Sequence, residues 1–329
     1  NFLLHILRIQ TGNKDVTLDD KKLIDAFKNE IKKSGIKAKD FALDFMFNLL
    51  NGKYLMDKYV IKRQFLANKE GWSLLTLKSN DRKKGFYVNT FGNDKNWDNE
   101  IIIMLLSMFH VSTPTMIYKH WLNAALYYLV NADEVNTVDY QYYLEKLAKD
   151  LLCFRFLNND TYTKIDYYTL IYNNELLPKK YPLVREDNPL LTYGNIENNL
   201  VFNFLDYIIW MNDEDDNFSN FEFSFRSSVE HYYPQNPIGG KKLEDEHALH
   251  SFGNLCLISH QKNSKLNHHL PTAKKNYYNK LDHGGQLAYD SLKQYLMMNN
   301  YNSETWNEHD IYEHNSEVIE MFNKFIQNN

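Results

Sequence analysis

The sequence predicts a mainly α protein with a small α+β element toward its C-terminal end. Apolar residues recur at helical spacing through the first half. After residue 220 an alternating segment and a short apolar run read as two strands. Between these textures, Pro178, Pro182 and Pro189 punctuate a polar stretch of the kind found where domains join.

From residue 18 to about residue 173 the pattern is helical. Leu23, Ile24, Phe27 and Ile31 stand at i, i+1, i+4 and i+8, and Phe41, Leu43, Phe45, Met46, Leu49 and Leu50 continue it less regularly. Further helices are expected over 97–109, 115–130 and 138–156, so residues 1–175 read as a helical bundle domain. Its basic clusters, Lys32-Lys33 and Arg82-Lys83-Lys84, have acids interspersed and read as solvated helix ends. No Gly-rich phosphate loop occurs here, so nucleotide-driven chemistry is expected upstream of Asn1. The chain opens on Asn1 and runs straight into Phe2-Leu3-Leu4, and is expected to be a piece of a longer protein.

Residues 176–220 read as a junction with one helix over 196–211. Its acidic run, Asp213 to Asp216, lacks the turn-forming Gly of a calcium loop and reads as solvated. In the last domain, residues 221–329, Phe221 to Arg226 alternates as a half-buried strand. A loop with Pro234, Pro237 and Gly239-Gly240 follows, then a strand over Leu255 to Ile258 and a helix from Gln261 that ends before Pro271.

Charge excludes an obvious polyanion binder: 37 Lys+Arg stand against 42 Asp+Glu, a net charge of -5, so any nucleic-acid partner must be held by a local patch. The longest apolar runs, such as Ile101 to Phe109, are about half of what a bilayer span needs, so no membrane role is expected. Cys153 and Cys256 are too few for a disulfide framework or a four-thiolate zinc site, which fits a reducing cytoplasm. The 40 Asn, 24 Tyr and 20 Phe read as compositional habit, so a single Asn carries weight only through its spacing.

Chemistry concentrates late in the chain. Seven of the 12 His residues (His231, His247, His250, His260, His268, His269 and His283) lie between 231 and 283, without the spacing of a zinc protease or zinc finger. Three segments stand out in order: Val229-Glu230-His231-Tyr232-Tyr233-Pro234, Leu249-His250-Ser251-Phe252-Gly253-Asn254-Leu255-Cys256-Leu257, and Lys262-Asn263-Ser264-Lys265. Asn254 follows His231 by 23 residues, and Asn263 follows Asn254 by 9.

This pattern resembles the HNH (ββα-metal) nuclease motif, in the variant found in the C-terminal domain of GmrSD-type, modification-dependent (type IV) restriction endonucleases. The resemblance covers roughly residues 195 to 329, continuing through Asn267, Pro271 and Lys274 to Trp306-Asn307-Glu308-His309-Asp310-Ile311. Asn263 stands where the motif's name has His, an accepted variant. The helical half resembles the middle region of such fused proteins only by position and texture.

The resemblance implies a metal-dependent DNA endonuclease of phage defence, with an NTPase-type domain upstream and modified phage DNA as target. Phosphodiester hydrolysis needs a water, a base for its proton, and positive charge at the phosphate. An imidazole titrates near neutrality and a carboxylate suits a hard cation, so His231 is expected as general base and Glu230 as metal ligand, with Asn263 supplying a second oxygen. Two protein ligands leave room for waters and phosphate oxygens, which suits Mg²⁺, with Mn²⁺ as substitute. Asn254 is implied to tie the loop backbone and hold His231 in register, His250 to orient or contact the phosphate, and His260 to be either a further ligand or a helix-surface residue. DNA contact is expected from Lys262, Lys265, Lys274 and Lys275, in a stretch free of acids from 261 to 281. Two alternatives stay open: a degenerate DNA- or protein-binding module, and an HNH nuclease directed at RNA.

Overall fold

The computed structural model describes residues 2–66, 69–80, 84–92, 97–113, 119–160, 163–215, 217–281 and 289–328. It divides the chain into two units, residues 1–147 with 166–177 and residues 148–165 with 178–329.

In the first unit α1 (Phe2–Thr11), α2 (Leu23–Ser34) and α3 (Ala38–Tyr59) pack through Leu4, Leu7, Val16, Leu18, Phe41 and Phe45. Gly35 ends α2 at φ +69°, a left-handed turn that a side chain would strain. The stretch expected to continue as helix then forms two antiparallel hairpins. β1 (Lys62–Leu66) pairs with β2 (Lys69–Ser73), and β3 (Leu75–Ser79) pairs with β4 (Gly85–Asn89). Here Leu75-Thr76-Leu77-Lys78 alternates with a period of two and Phe86-Tyr87-Val88 is aromatic and branched, which overrides the helical reading. The unit closes with α4 (Trp97–Ser112), α5 (His120–Asn131), α6 (Thr137–Leu151) and α7 (Tyr167–Tyr172). The start of the helix expected from 115, and Arg82 and Lys83, lie outside the described residues.

In the second unit α8 (Leu200–Met211) is apolar all round and therefore sits inside, against helices from the C-terminal end. Residues 178–220, set apart in sequence as a junction, are part of this unit. The strand expected over 221–226 does not form. Phe221 and Phe223 are buried, but the later strand is only four residues long and pairs with residues 228–231 instead.

The order continues β5 (Ser228–His231), α9 (Glu246–His250), β6 (Leu255–Ile258), α10 (His260–Leu266), α11 (Pro271–Leu281), α12 (Leu292–Asn299) and α13 (Glu308–Gln327). Asn307 caps α13 in a capping box with Asp310, which sets where the closing helix begins. Tyr232, Cys256, Ile258, Leu266, Tyr278, Met297, Trp306 and Ile311 form one core around the β5–β6 pair. Among the described residues, no helix is long and apolar enough to cross a membrane.

Candidate active site

β5 and β6 run antiparallel with Ser228 opposite Ile258, Val229 opposite Leu257, Glu230 opposite Cys256 and His231 opposite Leu255. Every residue of β6 is buried. Ser259 then caps α10 by accepting from the Lys262 N–H at 3.4 Å, turning the chain so that α10 packs on β5. His231 is thus the last residue of a buried strand, with a helix beside it.

The long loop between the strands is tied by Asn254, which is fully buried. Its Oδ1 accepts from the Tyr233 N–H at 2.8 Å and the Trp306 Nε1–H at 3.3 Å. Its Nδ2 donates to the carbonyls of Tyr233 at 3.0 Å and Leu249 at 2.9 Å. The backbone adds Tyr232 N–H to Asn254 O at 2.8 Å, so the side-chain amide extends the ladder beyond His231 as another strand residue would. Gly253 is required by close approach: a Cβ there would lie 2.2 Å from the Ile311 carbonyl oxygen of α13.

α9 delivers the second histidine. Asp245 caps it by accepting from the His247 and Ala248 N–H groups at 2.8 and 3.2 Å, and the short helix ends at His250. His231 Nε2 and His250 Nδ1 are 3.1 Å apart, a hydrogen bond between two imidazoles. Tyr193 lies over the pair, its ring centroid 4.3 Å from that of His231 and 5.8 Å from that of His250. Its N–H donates to the His250 carbonyl at 2.9 Å. Gln235 Nε2 stands 3.4 Å from His231 Nε2. Burial, then the proximity of His250 and Lys274, push the His231 imidazolium down to about 3, so the ring is neutral and keeps a lone pair near pH 7.

Glu230 is not brought to the histidines. Alternation along β5 sends it to the other face, where Oε1 accepts from Lys274 Nζ at 2.6 Å. Burial raises its carboxyl above the usual range, with Lys274 opposing that shift. It was expected as a metal ligand; here the carboxylate is half of a buried ion pair. Lys274, expected at the DNA, is the other half and is 2% exposed.

Lys262 is largely committed too, at 3.2 Å from Asp290 and over the Tyr278 ring at 4.8 Å. The acid-free sequence hid this, because Asp290 arrives from outside the stretch. Lys265 is exposed and Lys275 partly so.

Asn263 lies on α10, with a buried Oδ1 that has no hydrogen-bond partner. An orphan acceptor of this kind suits an oxygen-seeking cation. His260 is exposed at the start of α10. His247 stands beside Tyr312, His268 and His269 are exposed, and His283 lies outside the described residues. Among the described residues, the one set of three His, Cys, Asp or Glu ligand atoms within 4.8 Å of one another is His309, Asp310 and Glu313 on α13, which includes neither histidine of this pair.

Sequence reasoning missed Tyr193 and Gln235. Gln235 directly follows Glu230-His231-Tyr232-Tyr233-Pro234 and was findable by extending that segment. Tyr193 sits far upstream among polar residues and gives no local signal; the bridge between Thr192 and Ser251 brings it in.

Residues 190–321 match the sequence model described as GmrSD restriction endonucleases, C-terminal domain. No curated protein and no solved structure matches the chain.

Proposed function

We propose that the second unit is an HNH-type, metal-dependent DNA endonuclease, the nuclease part of a type IV restriction protein of phage defence. The observation that carries this is the hydrogen-bonded His231–His250 pair at the end of a buried two-stranded ladder, beside a helix bearing the orphan oxygen of Asn263. Strand, loop, strand and helix in that order fit a ββα-metal unit.

In this reading His231 takes the proton of an attacking water. Burial alone makes the imidazole a weak base. A bound phosphodiester adds negative charge beside it and raises its affinity for the proton. His250 orients the His231 ring through their hydrogen bond, and Tyr193 and Gln235 confine the pair. Asn254 keeps the loop in register.

A divalent cation, Mg²⁺ with Mn²⁺ as substitute, supplies charge neutralisation at the phosphate and the leaving oxygen when bound. Asn263 Oδ1 fits as its protein ligand and Glu230 does not, since Lys274 holds its carboxylate. Waters and phosphate oxygens complete the usual Mg²⁺ shell. Lys265 and Lys275 face the DNA backbone. An NTPase-type domain upstream and modified phage DNA as target belong to the same proposal.

The test is plasmid cleavage with and without Mg²⁺, with His231→Ala as control. Metal-stimulated cutting lost in the variant is the expected result; cutting at full rate in His231→Ala sinks the assignment of the base. Matched RNA and duplex DNA substrates decide the nucleic acid.

A further inference from the structure

Two lysines on separate helices are buried where an apolar side chain would cost less. Lys274 of α11 is 2% exposed and Lys293 of α12 is 0% exposed. An ammonium survives such burial only when its donors are used.

Lys274 Nζ donates to the His231 carbonyl oxygen at 2.5 Å and to Glu230 Oε1 at 2.6 Å. Lys293 Nζ donates to the Leu255 carbonyl oxygen at 2.8 Å, lies 3.4 Å from His314 Nε2 and sits 4.8 Å from the Phe252 ring centroid. His231 and Leu255 are the cross-strand pair at the end of the β5–β6 ladder. Two lysine Nζ groups thus grip the two carbonyls of the one pair that carries the candidate base.

We infer that Lys274 and Lys293 are positioning residues for His231, fixing the end of the ladder so that its imidazole meets His250 and the phosphate in one geometry. This rests on the nuclease reading above. At Lys274, paired with Glu230, the hydrogen bond is charge-assisted and about twice as strong as a neutral one. Glu230 then has a reason to occupy a buried strand position: it neutralises the ammonium that holds its neighbour. Neither lysine touches substrate; Lys274 acts through the His231 carbonyl and Lys293 through that of its cross-strand partner Leu255.

The test uses the whole chain with Lys293→Met, and with the double variant Lys274→Met, Glu230→Gln, which leaves no lone charge in the core. Melting temperature, kcat and KM for DNA cutting in Mg²⁺, and the imidazole ¹⁵N resonances of His231 are measured. Both variants are expected to fold and to lose roughly 10- to 100-fold in kcat at unchanged KM, the cost of a misplaced reacting group. The His231 resonances are expected to move.

Wild-type kcat with unmoved resonances overturns the inference. So does a rise in KM alone, which would make the lysines DNA contacts. If one variant does not fold, the other decides. If the wild-type protein does not cut, the nuclease reading fails and the resonances decide: unmoved signals overturn the positioning role, and displaced signals uphold it.

Discussion

The β3–β4 hairpin and the β5–β6 pair are both short antiparallel ladders, and they live in opposite surroundings. In the first, Leu77 is 61% and Tyr87 65% exposed; in the second, Leu257 is 0% and Cys256 1% exposed. A two-stranded ladder alone is marginal in water, so its precision must come from what packs on it. β5–β6 is enclosed by α10 and α12, tied beyond its end by Asn254 and gripped by two lysines. The candidate site is built on the ladder that other elements hold, and the exposed ladder carries no comparable constellation among its described residues.

Matched substitutions in the two ladders should break or sharpen that contrast. The largest effect is expected for Leu257→Ala, about 2–5 kcal/mol of stability by denaturant unfolding, because a fully buried leucine leaves a cavity. Leu77→Ala should cost under about 0.5 kcal/mol, as surface changes do. Comparable losses in both would show that the hairpin of the first unit is also packed in solution.

Gly253→Ala comes next, at about 1–3 kcal/mol, because the new methyl meets the backbone of α13. Gly85→Ala meets only the Leu77 side chain, at 3.1 Å, and should be close to neutral in the same measurement.

Acid should also separate the two regions. His314 lies behind β6 beside Lys293 and His110 lies against Trp72 of β2, and burial lowers both to about 4. An unfolded histidine binds its proton below about pH 6.5 while the folded one does not, so stability present above that pH is lost as pH falls toward 4. For His314, fully buried, the loss between pH 7 and pH 5 is on the order of 2 kcal/mol. His110 is only partly buried, so solvent screening makes its loss smaller. Stability measured against pH for His314→Phe and His110→Phe checks the order: the first should flatten the acid limb more than the second.

Much of this was legible in the residues. Apolar spacing placed α4, α6 and α8 within a few positions, and Leu255 to Ile258 was readable as a strand because a short apolar run beside turn residues has few other uses. The three motif segments marked His231, His250, Asn254 and Asn263 before any fold was known. β1 to β4 were missed because a two-residue period in exposed, lysine-rich segments is faint against neighbouring helices. The strand at Phe221 was misread because alternation reports a buried face and not a ladder partner.

The roles of Glu230 and Lys274 show where one-dimensional reading stops. Residue types and order were enough to mark a His-centred segment, since those depend on chemistry carried within a few residues. What Glu230 and Lys274 touch depended on partners 44 positions apart in the chain, brought together when α11 packs behind β5. A buried ion pair is made by desolvation and long-range contact, and neither is written in local spacing.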